Sequence, residues 1–383
     1  MTGQTKPVPI LLTVRELNCG GIERDLTKIA LNIDRSRFEP HVASYQAEGI
    51  RFEELSRAGI PFLHLPLASL KSPAVFSAAI RLRSYIREHR IRLVHAYDSS
   101  AVFVTPIAWA LRVPAVLSSV LGYRSLLDPR SRRQVRWTDK IVDTVVVNCE
   151  AMRGHLIDDE HVSGERIELC YNGVDTTEFF PAQAPRDNAD ANPAFVIGTV
   201  CVLRPEKALQ LLQEAFAQVR HLHANMKLIF VGSGPLLGSL QENAARLGIA
   251  DANEFVPATR DVAARLRAMD IFVLPSYSEA FSNSLLEAMA CGCAVVGSRV
   301  GGTPELIGSR EERGLLFKSG DVADLAGQLA KLIGDFDLRR NLASLAAKFA
   351  RENLTVEIAA ARTAEIYEKV LLRKAKHQGQ LAR

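Results

Sequence analysis

Ile271-Phe-Val-Leu-Pro-Ser-Tyr-Ser-Glu279-Ala-Phe-Ser-Asn-Ser-Leu-Leu-Glu287-Ala-Met-Ala-Cys-Gly-Cys-Ala-Val-Val-Gly-Ser298 holds a strand, a loop, a helix and a second strand in one short stretch. Ile271–Pro275 is a brief apolar run, as a buried strand requires. Asn283–Cys291 then reads as a helix. At about 100° per residue Leu285, Leu286 and Met289 share one face, with Asn283, Glu287 and Cys291 roughly opposite. Ala294–Ser298 is again short and apolar. Strand, helix and strand in this order make a parallel crossover, and the loop outside the first strand's carboxyl end is where open α/β sheets hold ligands.

The same alternation extends in both directions. Toward the C-terminus Leu315–Phe317 is a further strand, followed by helical stretches at about Asp321–Ile333 and Leu338–Lys374. Toward the N-terminus the candidate strands are Glu254–Val256, Leu228–Val231 and Phe195–Val200, with a helical pattern at Leu211, Leu212, Ala215, Phe216 and Val219. Pro181–Pro193 (PAQAPRDNADANP) interrupts the series and has no apolar periodicity, so it reads as a linker or exposed loop. Before it, Ile10–Val14, His41–Tyr45, Phe62–Leu67, Leu93–Tyr97, Ala115–Val120 and Val145–Asn148 read as strands. Helical spacing lies among them at Ile22, Leu26, Ile29 and Ala30, and again over Val75–His89 and Ala101–Leu111. An α/β protein with two doubly wound, parallel-sheet domains is expected. The expected boundaries are 1–178, a loop at 179–194, 195–355, and a C-terminal helix at 356–383. The cleft between two such domains is the expected site.

Composition agrees with two domains. The 383 residues are 48% hydrophobic and 23% charged, with a net charge of +4. That charge is too small for nucleic acid to be an expected partner. Arg130, Arg132, Arg133 and Arg136 nevertheless cluster within Tyr123–Lys140, beside Leu126, Leu127 and Trp137. Such a stretch reads either as a solvated helix face or as a basic amphipathic surface for anionic lipid. The six cysteines, Cys19, Cys149, Cys170, Cys201, Cys291 and Cys293, lack paired CxxC spacing, so buried free thiols in a reducing compartment are expected. Met1–Pro9 contains no leader-like apolar run, and no stretch approaches the roughly 20 apolar residues that span a bilayer. A cytoplasmic protein is expected, with peripheral contact at the inner face of a membrane left open.

Side-chain chemistry points to several strand ends. Arg204 and Lys207, three apart after Phe195–Val200, suit a diphosphate. Glu279 and Glu287 flank a helix start whose free amides and partial positive charge suit a phosphate, while carboxylates accept hydrogen bonds from sugar hydroxyls. Gly20-Gly21, between strand and helix, would let backbone approach a ligand, or would simply turn the chain. Asn172-Gly173 is a turn signal. Gly301-Gly302 follows a strand, with Pro304-Glu305 able to start a helix. Gly232-x-Gly234-x-x-x-Gly238 has the look of a dinucleotide loop, but the acid such a site needs at the end of the next strand is replaced by Glu254 at that strand's start. No D-x-D follows a strand, so no essential metal is expected, and no cofactor.

These residues together resemble retaining GT-B glycosyltransferases of family 4. Glu279 to Glu287 resembles that family's E-x7-E motif, Asn172-Gly-Val-Asp175 its NGVD turn, and Arg204-Pro-Glu-Lys207 its R-x-x-K motif. Val231-Gly-Ser-Gly-Pro235 resembles its VGxGP turn, Gly301-Gly-Thr-Pro-Glu305 its GG-x-PE loop, and Gly20-Gly21-Ile-Glu23 its N-terminal glycine loop. The matches keep the family's order from about residue 10 to 320. The resemblance implies a nucleoside-diphosphate sugar, UDP- or GDP-linked, as co-substrate and a glycan, lipid-linked or small-molecule acceptor. By the same resemblance Arg204 and Lys207 neutralise the leaving diphosphate, Gly20 and Gly21 face it, and Glu287 takes the ribose. Glu279 holds the donor sugar, while Phe281, Ser282, Asn283 and Ser284 offer backbone amides. Family members often carry His-x-His where this chain has His95-Ala-Tyr97. Tyr97 or Asp98 would then contact sugar in place of the second histidine, while His95 would either contact it too or sit as a satisfied, partly buried histidine. A non-catalytic sugar-nucleotide-binding subunit and a GT-B-type epimerase are the alternatives on the same fold.

Overall fold

A computed structural model describes residues 6–18, 20–182 and 194–381, with side chains to Lys376. Cys19 and most of the expected 179–194 loop lie outside these residues. The chain divides into two compact units. One comprises Met1–Gly173 together with Val356–Arg383, the other Val174–Thr355.

In the first unit strands and helices alternate. β1 (Val8–Val14), α1 (Gly21–Asn32), β2 (Phe38–Ser44), α2 (Ile50–Arg57) and β3 (Phe62–His64) form one half. α3 (Ala74–Glu88) returns the chain to β4 (Leu93–Tyr97). α4 (Ala101–Ala110), β5 (Ala115–Val120), α5 (Pro129–Thr138), β6 (Thr144–Val147), α6 (Glu150–Asp158) and β7 (Ile167–Leu169) follow. The strands are short, apolar and buried on both faces, as a helix-covered parallel sheet demands. Their order is β3-β2-β1-β4-β5-β6-β7, all parallel.

The second unit repeats the plan. β8 (Phe195–Val200), α7 (Leu209–Val219), β9 (Met226–Val231), α8 (Leu237–Arg246) and β10 (Asn253–Val256) form one half. α9 (Val262–Arg267), β11 (Ile271–Leu274), α10 (Asn283–Ala290), β12 (Ala294–Ser298), α11 (Thr303–Ile307) and β13 (Leu315–Phe317) form the other. α12 (Val322–Gly334) and α13 (Phe336–Asn353) complete it. The parallel order is β10-β9-β8-β11-β12-β13. Aspartates cap the closing helices: Asp321 accepts from the Asp324 N–H and Asp335 from the Leu338 N–H.

Two expectations change here. The Leu338–Lys374 helix is two helices, α13 and then α14 (Val356–Leu381), because Leu354 leaves helical geometry at φ −131°, ψ 48°. α14 belongs to the first unit, where Ala360, Ala364, Ile366, Tyr367 and Val370 join the core formed by β1, β2, β4 and α1. α10 is buried on both of its faces rather than one, packing against α13, β12, β11 and α9. In each sheet the strand order reverses between two neighbours, β1 and β4 in the first, β8 and β11 in the second. Loops leave such a pair in opposite directions and open a crevice at the carboxyl ends.

Candidate functional site

The second unit's crevice gathers the charged motif residues. The loop after β8 carries exposed Arg204, then a single 3-10 turn, Pro205–Lys207. Ala208 takes left-handed geometry, φ 51°, which turns the chain into α7. The loop after β11 carries Glu279. Lys207 Nζ donates to Glu279 Oε2 at 2.6 Å, and Ser276 Oγ donates to the same oxygen at 3.2 Å. The Tyr277 N–H donates to the Glu206 carbonyl at 2.8 Å, which ties the two loops together through backbone as well. Burial pulls the Lys207 ammonium pKa down, but the charge and hydrogen bond of Glu279 outweigh it and leave the group above its ordinary value. The lysine therefore stays charged while mostly withdrawn from water.

Neighbouring glycines fix these loops. Gly301 has φ +50°, and a Cβ there would meet the Glu279 carbonyl oxygen at 1.7 Å. The Gly302 N–H donates to the Ala280 carbonyl at 2.7 Å. The loop after β12 thus presses directly on the backbone of Glu279 and Ala280, and Thr303-Pro304 then begins α11. Gly232 and Gly234 have a similar reason: a Cβ on either would strike backbone at Cys201 or Leu203. Their glycines serve close packing of one loop on another, which accounts for the dinucleotide-like spacing.

Phe281, Ser282 and Asn283 are buried, and Ser282 Oγ caps α10 by accepting from the Leu285 N–H at 3.3 Å. Ser284 is half-buried. Glu287, one turn in, is buried. Ser276 was not legible as a site residue; its only signal is its place two residues past β11 and three before Glu279.

The first unit holds the remaining expected residues, and Tyr97 departs from expectation. Gly20 has ordinary geometry, φ −67°, at the start of α1. Its missing side chain makes room for Glu23, whose Oε2 lies 2.0 Å from where a Cβ would sit. Gly21 opens the helix. Tyr97 was expected to meet sugar, and His95 either to join it or to sit as a satisfied, partly buried histidine; strand alternation turns both into the core beneath α14. His95 is 1% exposed; Nδ1 pairs with Tyr367 Oη at 2.7 Å and Nε2 with Ser119 Oγ at 2.8 Å. Its ring lies 4.5 Å from that of Tyr97, and burial pushes its pKa down to about 3. A cavity of about 40 Å³ adjoins them, lined also by Asp25, Lys28, Cys170 and Thr363. Asp98, with φ +50°, is the exposed residue at this strand end.

The arginine cluster is also partly re-read. Arg124 is buried and pairs with Asp139 through two hydrogen bonds, 2.5 and 2.9 Å. Arg132 and Arg136 converge on the buried Glu160 at 2.6 and 2.5 Å. Three of the basic residues thus belong to an ion-pair network, while Arg130, Arg133 and Lys140 are exposed. Near the unit boundary, Lys28 Nζ donates to the Gly173 carbonyl at 2.7 Å, and Val174 forms a parallel bridge with Thr355.

Residues 183–349 match the family described as Glycosyl transferases group 1, and residues 19–178 match Glycosyltransferase Family 4. A D-inositol 3-phosphate glycosyltransferase of Salinispora arenicola is 32% identical over 245 residues, covering 58% of this chain and 54% of the relative. The protein of the same name from Pseudarthrobacter chlorophenolicus is 30% identical over 293 residues, covering 73% of this chain and 69% of the relative. The chain thus spans little more than half the length of the first of these. Anabaena Alr3699/HepE, solved with UDP-glucose, superposes with a TM-score of 0.81 at 23% identity, covering 94% of this chain and 99% of that one. The two parallel-sheet units are those of the GT-B fold.

Proposed function

This chain belongs to the group 1 glycosyltransferases, and we propose on that footing that it moves a sugar from a nucleoside-diphosphate sugar to a hydroxylated acceptor with retention at the anomeric carbon. One observation carries the reading. Lys207 and Glu279, 72 positions apart in sequence, meet at 2.6 Å beside a helix N-terminus at the second sheet's switch point. A charged lysine and carboxylate already locked together need little reorganisation when charge separates.

In this reading Arg204 and Lys207 take the diphosphate. Negative charge grows on it as the bond to the anomeric carbon breaks, and the cations and the amides at Ser282–Ser284 stabilise that growth. Glu279 accepts hydrogen bonds from the donor sugar and opposes the positive charge developing on its ring. Glu287 is assigned the ribose hydroxyls. The departing phosphate helps to take the acceptor proton, so neither His95 nor Tyr97 is needed as a base. The mechanism we propose uses no essential metal ion. UDP is favoured as the nucleotide because a fold neighbour was solved with UDP-glucose. A small hydroxylated acceptor is favoured by the relatives' name.

Calorimetric titration and a transfer assay test this. Wild type should bind UDP or another nucleoside diphosphate. Lys207→Ala should weaken that binding and reduce turnover by about 10²–10³-fold, the usual cost of one preorganised donor. Glu279→Gln should keep nucleotide binding within a few-fold and lose turnover. Glu287→Ala should chiefly weaken donor binding. Normal turnover in both Lys207→Ala and Glu279→Gln would sink the assignment. A changed sugar formed without acceptor would indicate an epimerase.

A further inference from the structure

The two oxygens of the Glu279 carboxylate are not equivalent. Oε2 accepts from Lys207 Nζ at 2.6 Å and from Ser276 Oγ at 3.2 Å, whereas no described residue donates to Oε1. Both members of the ion pair are mostly buried, with the glutamate side chain 14% exposed and the lysine 21%. A carboxylate swivels over a broad range, because a terminal sp³–sp² torsion has no sharp staggered wells. Lysine alone does little to stop it, since an ammonium on a flexible four-carbon stem is a point charge that follows the oxygen it holds. A second donor on a short, rigid side chain removes that freedom.

Ser276 is such a donor. It is fully buried, and a single torsion sets the direction of its hydroxyl. Its backbone is held from both sides. The peptide that joins Ser276 to Tyr277 accepts at its carbonyl from Ser298 Oγ at 2.6 Å and donates at its N–H to the Glu206 carbonyl at 2.8 Å. Ser298 ends β12 and Glu206 lies in the 3-10 turn after β8, and those two strands flank β11 in the sheet. One peptide plane is thus clamped by both neighbours of the strand that delivers it. Ser298, itself fully buried, spends its hydroxyl on backbone, as most side-chain hydrogen bonds are spent. Ser276 spends its own on a carboxylate, and a bond to an ionised acceptor withdrawn from water is of the stronger kind.

We propose that Ser276 is a positioning residue for sugar transfer: by holding Oε2 it leaves Oε1 as the oxygen that meets the donor sugar. This role rests on the assignment of Glu279 to that sugar made above, and Ser276 itself acts only through the carboxylate. Without the hydroxyl the carboxylate turns on its lysine, and the sugar binds over a spread of poses, few of which place the anomeric carbon for transfer.

Ser276→Ala tests this, with UDP and UDP-glucose as the probes in calorimetry beside the transfer assay. UDP alone should bind as it does to wild type, and the melting transition should stay close to wild type. The affinity gained on going from UDP to UDP-glucose should shrink. The kcat should fall about 10- to 100-fold, what one hydrogen bond to a charged group is worth, with KM for the acceptor within a few-fold. Glu279→Ala supplies the coupling: adding Ser276→Ala to it should take nothing further from the preference for UDP-glucose. Wild-type kcat in Ser276→Ala, while Lys207→Ala and Glu279→Gln are impaired, overturns the role of Ser276 and leaves the transfer reading standing. So does a loss that persists in full in the Glu279→Ala background, or one expressed as weaker UDP binding with kcat unchanged. Normal turnover in both Lys207→Ala and Glu279→Gln would remove the transfer site and the role of Ser276 together.

Discussion

His95 shows how much of a residue's behaviour is set by what covers it. Both ring nitrogens are bonded inside the core, and one partner, Tyr367, lies 272 positions away on α14. Sequence alone places His95 and Tyr97 on one face of β4 but cannot say which layer lies over that face. The same blindness hides the Lys207–Glu279 pair, although the two loops that bear it were legible from strand ends and charge. His95 titrates at about 3 when folded and near 6.5 when unfolded. Between those values the unfolded chain holds a proton that the folded chain refuses, so stability falls as pH drops from about 6.5 toward 3. The slope is about 1.4 kcal/mol per pH unit. His95→Gln should cost about 1–3 kcal/mol at pH 7 through its lost hydrogen bonds. That deficit should narrow steadily by pH 5, as followed in urea by tryptophan emission, which reports the first unit. A deficit that stays constant with pH would show that the ring is not held neutral.

Elements were read best where they were long or bounded by turn residues. Leu93–Tyr97, Ala115–Val120, Phe195–Val200, Ala294–Ser298 and Leu315–Phe317 are strands at the residues expected. β7 escaped notice because Ile167-Glu168-Leu169 carries a charged residue at its centre and so shows no apolar run. The break between α13 and α14 escaped because amphipathic spacing runs up to it from both sides. α10 looked two-faced because Asn283 and Glu287 are polar, yet both are buried. At this scale Glu160 joins elements. Its carboxylate, just beyond α6, gathers Arg132 and Arg136 from α5, with Arg124 at 3.6 Å. Burial opposes its ionisation, but hydrogen bonds from Arg136 and Arg132 overrule that and keep its pKa below the ordinary 4.5. Its contribution is complete above pH 4.5 and is lost as pH falls through the lower folded value. Glu160→Ala should leave the arginines facing one another and lower the first unit's stability by about 3 kcal/mol or more. Scanning calorimetry should show a drop in the first unit's melting temperature with the second unit's unmoved. Equal drops in both would mean that the two units melt as one.

The whole molecule is two similar α/β units threaded unequally. The second is one continuous run, Val174–Thr355, while the first is assembled from both ends of the chain. The chain leaves the first unit after Gly173 and re-enters it at Val356, and Val174 and Thr355 lie side by side as a parallel bridge. Residues 174–355 alone should therefore melt cooperatively. Residues 1–355 should keep that transition but lose the first unit's own, because Ala360, Ile366, Tyr367 and Val370 are missing from its core. Calorimetry of both fragments checks this, and a normal first-unit transition in 1–355 would refute it. The threading also sets a timetable on the ribosome. The first 173 residues emerge early, yet their core stays open until α14 leaves the exit tunnel, after the second unit has been made in full. Through that interval, roughly 10–40 s at 5–20 residues per second, the first unit's sheet must wait for α14, with its apolar face uncovered and within reach of chaperones.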